Sequence, residues 1–245
     1  VLYERRQRRG VTLPDALRMV RDRTYFGAVM VEEGDAHAMV SGRTREYPKI
    51  IRPALQVIGT QEGVNRVAGS YIVNSNRGVY FFSDTTVNLE PSAEELAEIV
   101  GLTAQTVRSF NMEPVVAVVS HSNFGSTRSE EAERCRRAVA VAQERYPDII
   151  LDGEVQANIA LDPALLRGLY PFSRLVGHRV NTLIFPNLSA GNIAYKLLGE
   201  LGNAELIGPV LMGMRKPVQV LQLGSTVREI VNMIAFVAAE AQGGT

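Results

Sequence analysis

The most constraining stretch of this chain is residues 183–198, LIFPNLSAGNIAYKLL. An apolar run breaks at Pro186-Asn187, turns through Ser189-Ala190-Gly191-Asn192 and enters a helical pattern. That order predicts a buried strand, a tight loop and a helix met at its N-terminus. In α/β proteins ligands gather at such junctions, because strand ends and helix N-termini meet there. Free N–H groups and the positive end of the helix dipole favour an anion, and Gly191 allows a close backbone approach. The same order also describes a plain strand-to-helix connection.

Two other runs repeat the arrangement. Residues 115–119 are a short apolar run of the kind buried in a parallel sheet, and they discharge into the hydroxyl-rich Ser120-His121-Ser122-Asn123-Phe124-Gly125-Ser126. Residues 149–151 end in Asp152-Gly153-Glu154-Val155-Gln156. If the three strands are neighbours, their loops converge on one cleft that offers hydroxyls, amides and a helix N-terminus. Ser120, Ser122, Pro186, Asn187, Gly191 and Asn192 are the candidate ligand residues there.

Elsewhere, Thr12-Leu13-Pro14-Asp15 predicts a helix start, with a threonine cap, an early proline and an acid three residues on. That helix ends near residues 21–23. Residues 26–31 read as a strand, Gly34-Asp35 as a turn, and residues 36–40 as a second strand. A helix near residues 48–58 carries Arg52. Residues 67–73 and 79–82 read as paired strands around a turn at 74–78. Ser92-Ala93-Glu94-Glu95 opens a helix to about Phe110, and a charged helix covers residues 129–145. Residues 182–185, 207–212 and 218–221 are further strands, and Thr226-Val227-Arg228-Glu229 opens a final helix to about Glu240. Alternation of this kind implies right-handed βαβ crossovers and a largely parallel sheet covered on both faces. The predicted division is a first domain of residues 1–61 with 223–245 and a second of 62–222.

Composition narrows the partners. The formal net charge is zero, and no basic stripe with interleaved aromatics occurs, so no nucleic acid is expected. Arg5-Arg6-Gln7-Arg8-Arg9 is either a solvated helix end or a phosphate clamp. The single cysteine, Cys135, leaves no internal disulfide and suits a reducing cytoplasm. No apolar run reaches membrane-spanning length and no signal peptide is visible, so no membrane partner is expected. His37, His121 and His178 lack ligand-like spacing, so no metal is expected, and no G-x-S-x-G elbow marks a nucleophilic serine. Val1-Leu2-Tyr3 runs straight into a charged helical segment, which reads as a fragment of a longer polypeptide.

VSGRTREYPKIIRPALQ (40–56), LDGEVQANIAL (151–161), IFPNLSAGNIAYKLL (184–198) and GPVLMGMRKPVQVL (208–221) together resemble the phosphate acetyltransferases, or phosphotransacetylases. The resemblance covers essentially the whole chain, in order. It implies an α/β fold of two three-layer α/β/α domains with a cleft between them, as in isocitrate and isopropylmalate dehydrogenases, with an N-terminal part missing. It also implies acetyl transfer between phosphate and the thiol of coenzyme A. Two family arginines associated with coenzyme A and phosphate fall on Arg6 and Arg52, and guanidinium forks suit phosphate oxygens. The alternatives are a solvated helix residue for Arg6 and a salt bridge for Arg52.

This chain departs from the family's pattern where the acyl chemistry is done. The family's serine and arginine, which the resemblance assigns to transition-state and phosphate contacts, fall on Gln222 and Leu223. Leucine offers an acyl phosphate neither charge nor donors. The family's thiol-deprotonating aspartate falls on Glu229, which also fits the partner of a Thr226 capping box. Asn158 and Asn187 stand where the family has acids. No catalytic residue is therefore expected, and Gln222 joins the candidates for holding acetyl-CoA or free coenzyme A. FPNL, YPFSRL and QVLQLG look like the branch that forms the C-terminal part of large bacterial NADP-dependent malic enzymes. That branch implies a regulatory domain that binds acetyl-CoA and inhibits the malic enzyme catalytic part of the same polypeptide, assembled as a homo-oligomer, dimer or larger. The alternatives are an active phosphate acetyl- or butyryltransferase with a relocated phosphate contact at Arg43, Arg45 or Arg215, and an oligomerisation module that binds nothing.

Overall fold

The computed structural model describes residues 1–243. Its strands, in chain order, are β1 (Met39–Ser41), β2 (Ala68–Ser75), β3 (Gly78–Ser83), β4 (Val115–Val119), β5 (Ile150–Val155), β6 (Thr182–Ile184), β7 (Glu205–Met212) and β8 (Val218–Val220). Its α-helices are α1 (Leu2–Arg6), α2 (Leu13–Met19), α3 (Arg23–Glu33), α4 (Tyr47–Val57), α5 (Ala93–Ser109), α6 (Glu130–Arg145), α7 (Ala157–Ala160), α8 (Pro163–Leu169), α9 (Leu188–Leu201) and α10 (Val227–Gly243). The chain divides into two units, Val1–Val67 with the segment from Gly208 onward, and Ala68–Ile207.

The second unit is built on a six-stranded sheet of order β5-β4-β6-β3-β2-β7. The pairs β5–β4, β4–β6 and β6–β3 are parallel, and β2 returns antiparallel to β3 with Ser75 opposite Gly78. Alternate residues of β4 serve the two faces, as the period of a strand requires. Val115, Ala117 and Val119 pack with Ile159, Leu166, Leu175 and Tyr195 from the α7–α9 side. Val116 and Val118 point the other way and are fully buried, and α5 and α6 cover the sheet from there. The predicted three layers are present in this unit. Ser92 and Glu95 cap α5 reciprocally, Ser129 caps α6 and Asn187 caps α9.

The first unit holds the parallel pair β1–β8, registered from Met39 opposite Val218 to Ser41 opposite Val220. The strand ends are locked where Leu221 N–H donates to Ser41 O at 2.7 Å. Gly42 is required at that point, because its φ is +138° and a Cβ would lie 2.1 Å from Leu221 O. A boundary at residue 222 would separate β8 from its partner strand, so the chain returns to the first unit earlier than the sequence suggested. The expected strand at residues 26–31 is also corrected: those residues lie within α3, capped by Asp22 through Thr24 N–H. The buried positions there are Thr24, Ala28 and Val31, with Phe26 54% exposed, which is a helical spacing and not a strand's alternation. Among the described residues no helix is long and apolar enough to cross a membrane.

Candidate functional site

Because β5, β4 and β6 are parallel neighbours, their C-terminal loops do gather at one end of the sheet. A bulge between β4 and β5 sets Val119 opposite Val155 directly after Val118 opposite Gly153, which leaves Glu154 as the extra residue. Bulges re-aim side chains, and here Glu154 is turned inward and fully buried. Its carboxylate accepts from Ser122 Oγ at 2.9 Å, Gly125 N at 2.8 Å, and Arg136 Nε and Nη2 at 3.1 and 3.3 Å. Burial alone would raise its pKa, but the Arg136, Gly125 and Ser122 bonds outweigh it and hold the carboxyl below the ordinary glutamate value. Ser122 is therefore spent on holding its own loop and is itself fully buried; it is not available to a ligand.

The residues of the opening stretch are used in the same inward way. The helix begins at Leu188, so Ser189–Asn192 are its first turn and not a loop. Asn187 Oδ1 accepts from Ala190 N at 2.9 Å, its Nδ2 donates to Glu131 Oε2 at 3.2 Å, and Leu188 N donates to Leu89 O at 3.1 Å. Gly191 does permit a close approach, but to protein backbone: a Cβ there would lie 2.4 Å from Asp84 O. Asn192 Nδ2 donates to Thr85 O at 3.2 Å, and Pro186 O accepts from Arg134 Nη2 at 3.1 Å. The segment they brace, at the end of β3, is ordered by buried Asp84. That carboxylate accepts from the N–H groups of Gly69, Thr86, Val87 and Asn88 at 2.7–3.2 Å. Asp84 went unread in the sequence because nothing local distinguishes SDTT from a solvated turn.

At the rim of the same loops, His121 lies between two partners. Its Nδ1 is 3.3 Å from Glu131 Oε1 and its Nε2 is 3.3 Å from Ser129 Oγ, with Ser120 Oγ 3.5 Å from Nδ1. His121 O accepts from Gln156 Nε2 at 2.8 Å, which ties the β4 loop to the β5 loop. The one cysteine, Cys135, is buried and its thiol is pushed up to about 12, mainly by desolvation, so it supplies no thiolate.

The first unit carries a different kind of site. On α4, Pro48, Ile51, Arg52, Leu55 and Gln56 recur at helical spacing and line a groove of about 450 Å³ together with Arg6 and Arg9. Ile50, Ala54 and Val57 occupy the opposite, buried face of the helix. Arg6 Nε is buried without a hydrogen-bond partner among the described residues, and the exposed Arg52 makes no hydrogen bond or ion pair with any of them. Tyr25 stands close by, its hydroxyl donating to Gln56 Oε1 at 2.6 Å. Burial raises its pKa while the positive charges of Arg6 and Arg52 work against that rise. The structure thus brings together Arg6 and Arg52 and adds Arg9, which the sequence left within an undivided basic run. The spacing of residues 48, 51, 52, 55 and 56 was the signal that could have found the groove.

The remaining candidate positions follow β8. Gln222 and Leu223 are exposed, Leu223 by 62%, in a turn where Gln222 O accepts from Ser225 N and Oγ. Glu229 is a cap: its Oε2 accepts from Thr226 N at 2.7 Å, while Thr226 Oγ1 accepts from Glu229 N at 3.3 Å. Arg215 pairs with Glu32 at 2.5 Å and donates to Ile58 O, and Lys216 donates to Val31 O and Glu32 O, so both close helix C-termini. Arg45 is held by Asp22 at 2.6 Å, and Arg43 Nε reaches Ser225 O at 3.4 Å.

A two-unit α/β chain with a mixed sheet, three of its strand pairs parallel, and a cationic groove on an amphipathic helix is the class these features define. Residues 1–238 match the phosphate acetyl/butaryl transferase family, and the chain belongs to it. It is 37% identical to the phosphate acetyltransferase of Bacillus subtilis over 98% of this chain and 74% of that protein. It is 41% identical to the NADP-dependent malic enzyme of Escherichia coli over 96% of this chain but only 31% of that enzyme. Among solved structures, a phosphotransacetylase from Streptococcus pyogenes superposes with a TM-score of 0.92 at 38% identity, covering 97% of this chain and 72% of that one. A 4-hydroxythreonine-4-phosphate dehydrogenase from Klebsiella pneumoniae, 12% identical with a TM-score of 0.53 over 89% of this chain and 69% of that one, shares the fold alone.

Proposed function

We propose that this phosphotransacetylase-like chain binds acetyl-CoA as a regulatory module of an NADP-dependent malic enzyme and does not itself transfer acetyl groups to phosphate. The observation that carries the reading is the contrast within the first unit. Arg6 and Arg52 keep unspent guanidinium groups on one groove, while the positions of the family's serine and arginine hold Gln222 and an exposed Leu223. The groove supplies cationic donors beside the apolar side chains of Pro48, Ile51 and Leu55, a combination suited to a ligand with phosphate groups on an organic frame. The Leu223 side chain supplies neither charge nor a donor for an acyl phosphate dianion. Similarity to malic enzymes that are about three times as long as the matched region supports a catalytic part elsewhere in the polypeptide. Acetyl-CoA inhibits that part if it favours one of two arrangements of the module, and a coupling of about 1–3 kcal/mol suffices. We place this module in a cytoplasmic homo-oligomer.

The second reading is an active phosphate acetyl- or butyryltransferase, and the similarity to the phosphate acetyltransferase of Bacillus subtilis favours it. Its relocated phosphate contact would have to come from arginines that already have partners: Arg45 with Asp22, Arg215 with Glu32, and Arg43 with Ser225 O. The test is calorimetric titration of the chain with acetyl-CoA alongside an assay for acetyl phosphate formed from acetyl-CoA and phosphate. Binding without turnover is expected. Robust turnover sinks the regulatory reading, and no binding with no shift in melting temperature leaves only an oligomerisation module.

A further inference from the structure

Ser129, His121 and Glu131 form a hydrogen-bonded line that acetyl-CoA sensing does not use, and we propose that it is a hydrolytic site for short acyl esters with good leaving groups. Ser129 Oγ lies 3.3 Å from His121 Nε2, and His121 Nδ1 lies 3.3 Å from Glu131 Oε1. Glu131 is fixed in turn by Asn187 Nδ2, 3.2 Å from its other carboxylate oxygen. A hydroxyl, an imidazole that can take its proton, and a carboxylate that orients the imidazole are the parts of an activated nucleophile. The backbone under them is braced, since the β4 loop is clamped through Gly125 and Ser122 to buried Glu154, and His121 O to Gln156.

Two further features fit the chemistry. Ser129 caps the 16-residue helix α6, so a negative charge developing on a carbonyl bound to its Oγ lies at the positive end of the helix. The side chain of His121 is 51% exposed. An open site of this kind suits a small acyl group on a good leaving group better than an amide, whose amine leaves only when it is protonated.

In the first step Ser129 Oγ bonds to the acyl carbon and its proton passes to His121 Nε2. The bond to the leaving group then breaks, and the leaving group departs with the electron pair and takes the proton from His121. Water, its proton accepted by His121, next attacks the acyl-serine. The C–Oγ bond breaks, Ser129 recovers its proton and the carboxylic acid leaves. Ser129 and His121 are the catalytic residues and Glu131 is a positioning residue.

The test uses the chain with p-nitrophenyl acetate, without phosphate or coenzyme A, so its outcome is separate from that of the acetyl-CoA reading. Turnover above the buffer blank is expected, with one acetyl group on Ser129 in acid-quenched protein. Ser129→Asn keeps a helix-capping side chain but no nucleophile, and His121→Gln removes the base. Each should lower the rate at least about 100-fold at an unchanged melting temperature. Glu131→Gln should lower kcat at unchanged KM. No turnover above the blank, full activity in Ser129→Asn, or an acetyl group found on another residue overturns the assignment.

Discussion

The strand-end loops of the second unit and the arginine groove of the first are both rich in polar side chains, yet they differ in how much hydrogen-bonding capacity is left over. In the loops, Ser122, Asn187 and Asn192 bond to Glu154, to Ala190 N–H and Glu131, and to Thr85 O. In the groove, buried Arg6 Nε has no partner among the described residues, and the exposed Arg52 guanidinium bonds to none of them. Buried polar groups must be satisfied from within or from a ligand. The first region answers that demand with the fold, and the second leaves it to something outside. Residue type and position alone do not separate the two; prior commitment of each group does.

The contrast is hardest to survive at Asp84. Asp84→Ala leaves the N–H groups of Gly69, Thr86, Val87 and Asn88 without their acceptor, at about 1–3 kcal/mol for each buried group. Urea unfolding should show a loss of at least about 3 kcal/mol. A loss below about 1 kcal/mol would mean that the bonds in this region are incidental to its order.

The groove should answer in the opposite currency. Arg6→Ala and Arg52→Ala should each weaken acetyl-CoA binding by about 1.5–3 kcal/mol, the scale of charged hydrogen bonds. Unfolding stability should stay within about 0.5 kcal/mol, as for surface residues away from buried networks. Unchanged affinity in both variants would remove the groove from any account of the ligand.

Glu154 sharpens the comparison through pH. Its folded pKa is below the ordinary 4.5. Its contribution is therefore fully present above that value and is lost as pH falls through the lower folded value. Glu154→Gln should cost about 1–2 kcal/mol at neutral pH, after discounting the half-exposed Arg136 arm, and should flatten the acid limb of the stability profile. An acid limb equal to that of the unmodified chain would show that other carboxylates govern it.

Much of this arrangement was legible in the sequence where the controlling interaction is local. The Thr12–Asp15 and Ser92–Glu95 capping boxes and the apolar run of β4 are settled by residues within a turn of one another. Residues 26–31 misled because Phe26, Val29 and Val31 favour strands locally, whereas burial of Thr24, Ala28 and Val31 decides for a helix. Gly191 was read as room for a ligand because its neighbour, Asp84 O, is more than a hundred residues away. Ser122 was read as a donor to a ligand because its acceptor, Glu154, is turned inward by a bulge that only strand pairing reveals. Arg6 and Arg52 came from family resemblance; their meeting in one groove came from packing.

Glu229 gives the smallest effect and the most specific one. It occupies the position of an acid that the resemblance assigns to thiol deprotonation, yet its carboxylate accepts from Thr226 N and Thr226 Oγ1 at 2.7 and 2.9 Å. A cap and a base respond differently to the same substitutions. Glu229→Ala should cost about 0.5–1 kcal/mol of unfolding stability through loss of the reciprocal cap. Glu229→Gln retains the reach of a capping-box residue and should restore most of that loss, although an amide cannot serve as a base. If Glu229→Gln instead keeps stability and abolishes a measurable acetyl phosphate activity, the carboxylate is a base after all. The turn at Gln222 and Leu223 would then belong to a working transferase.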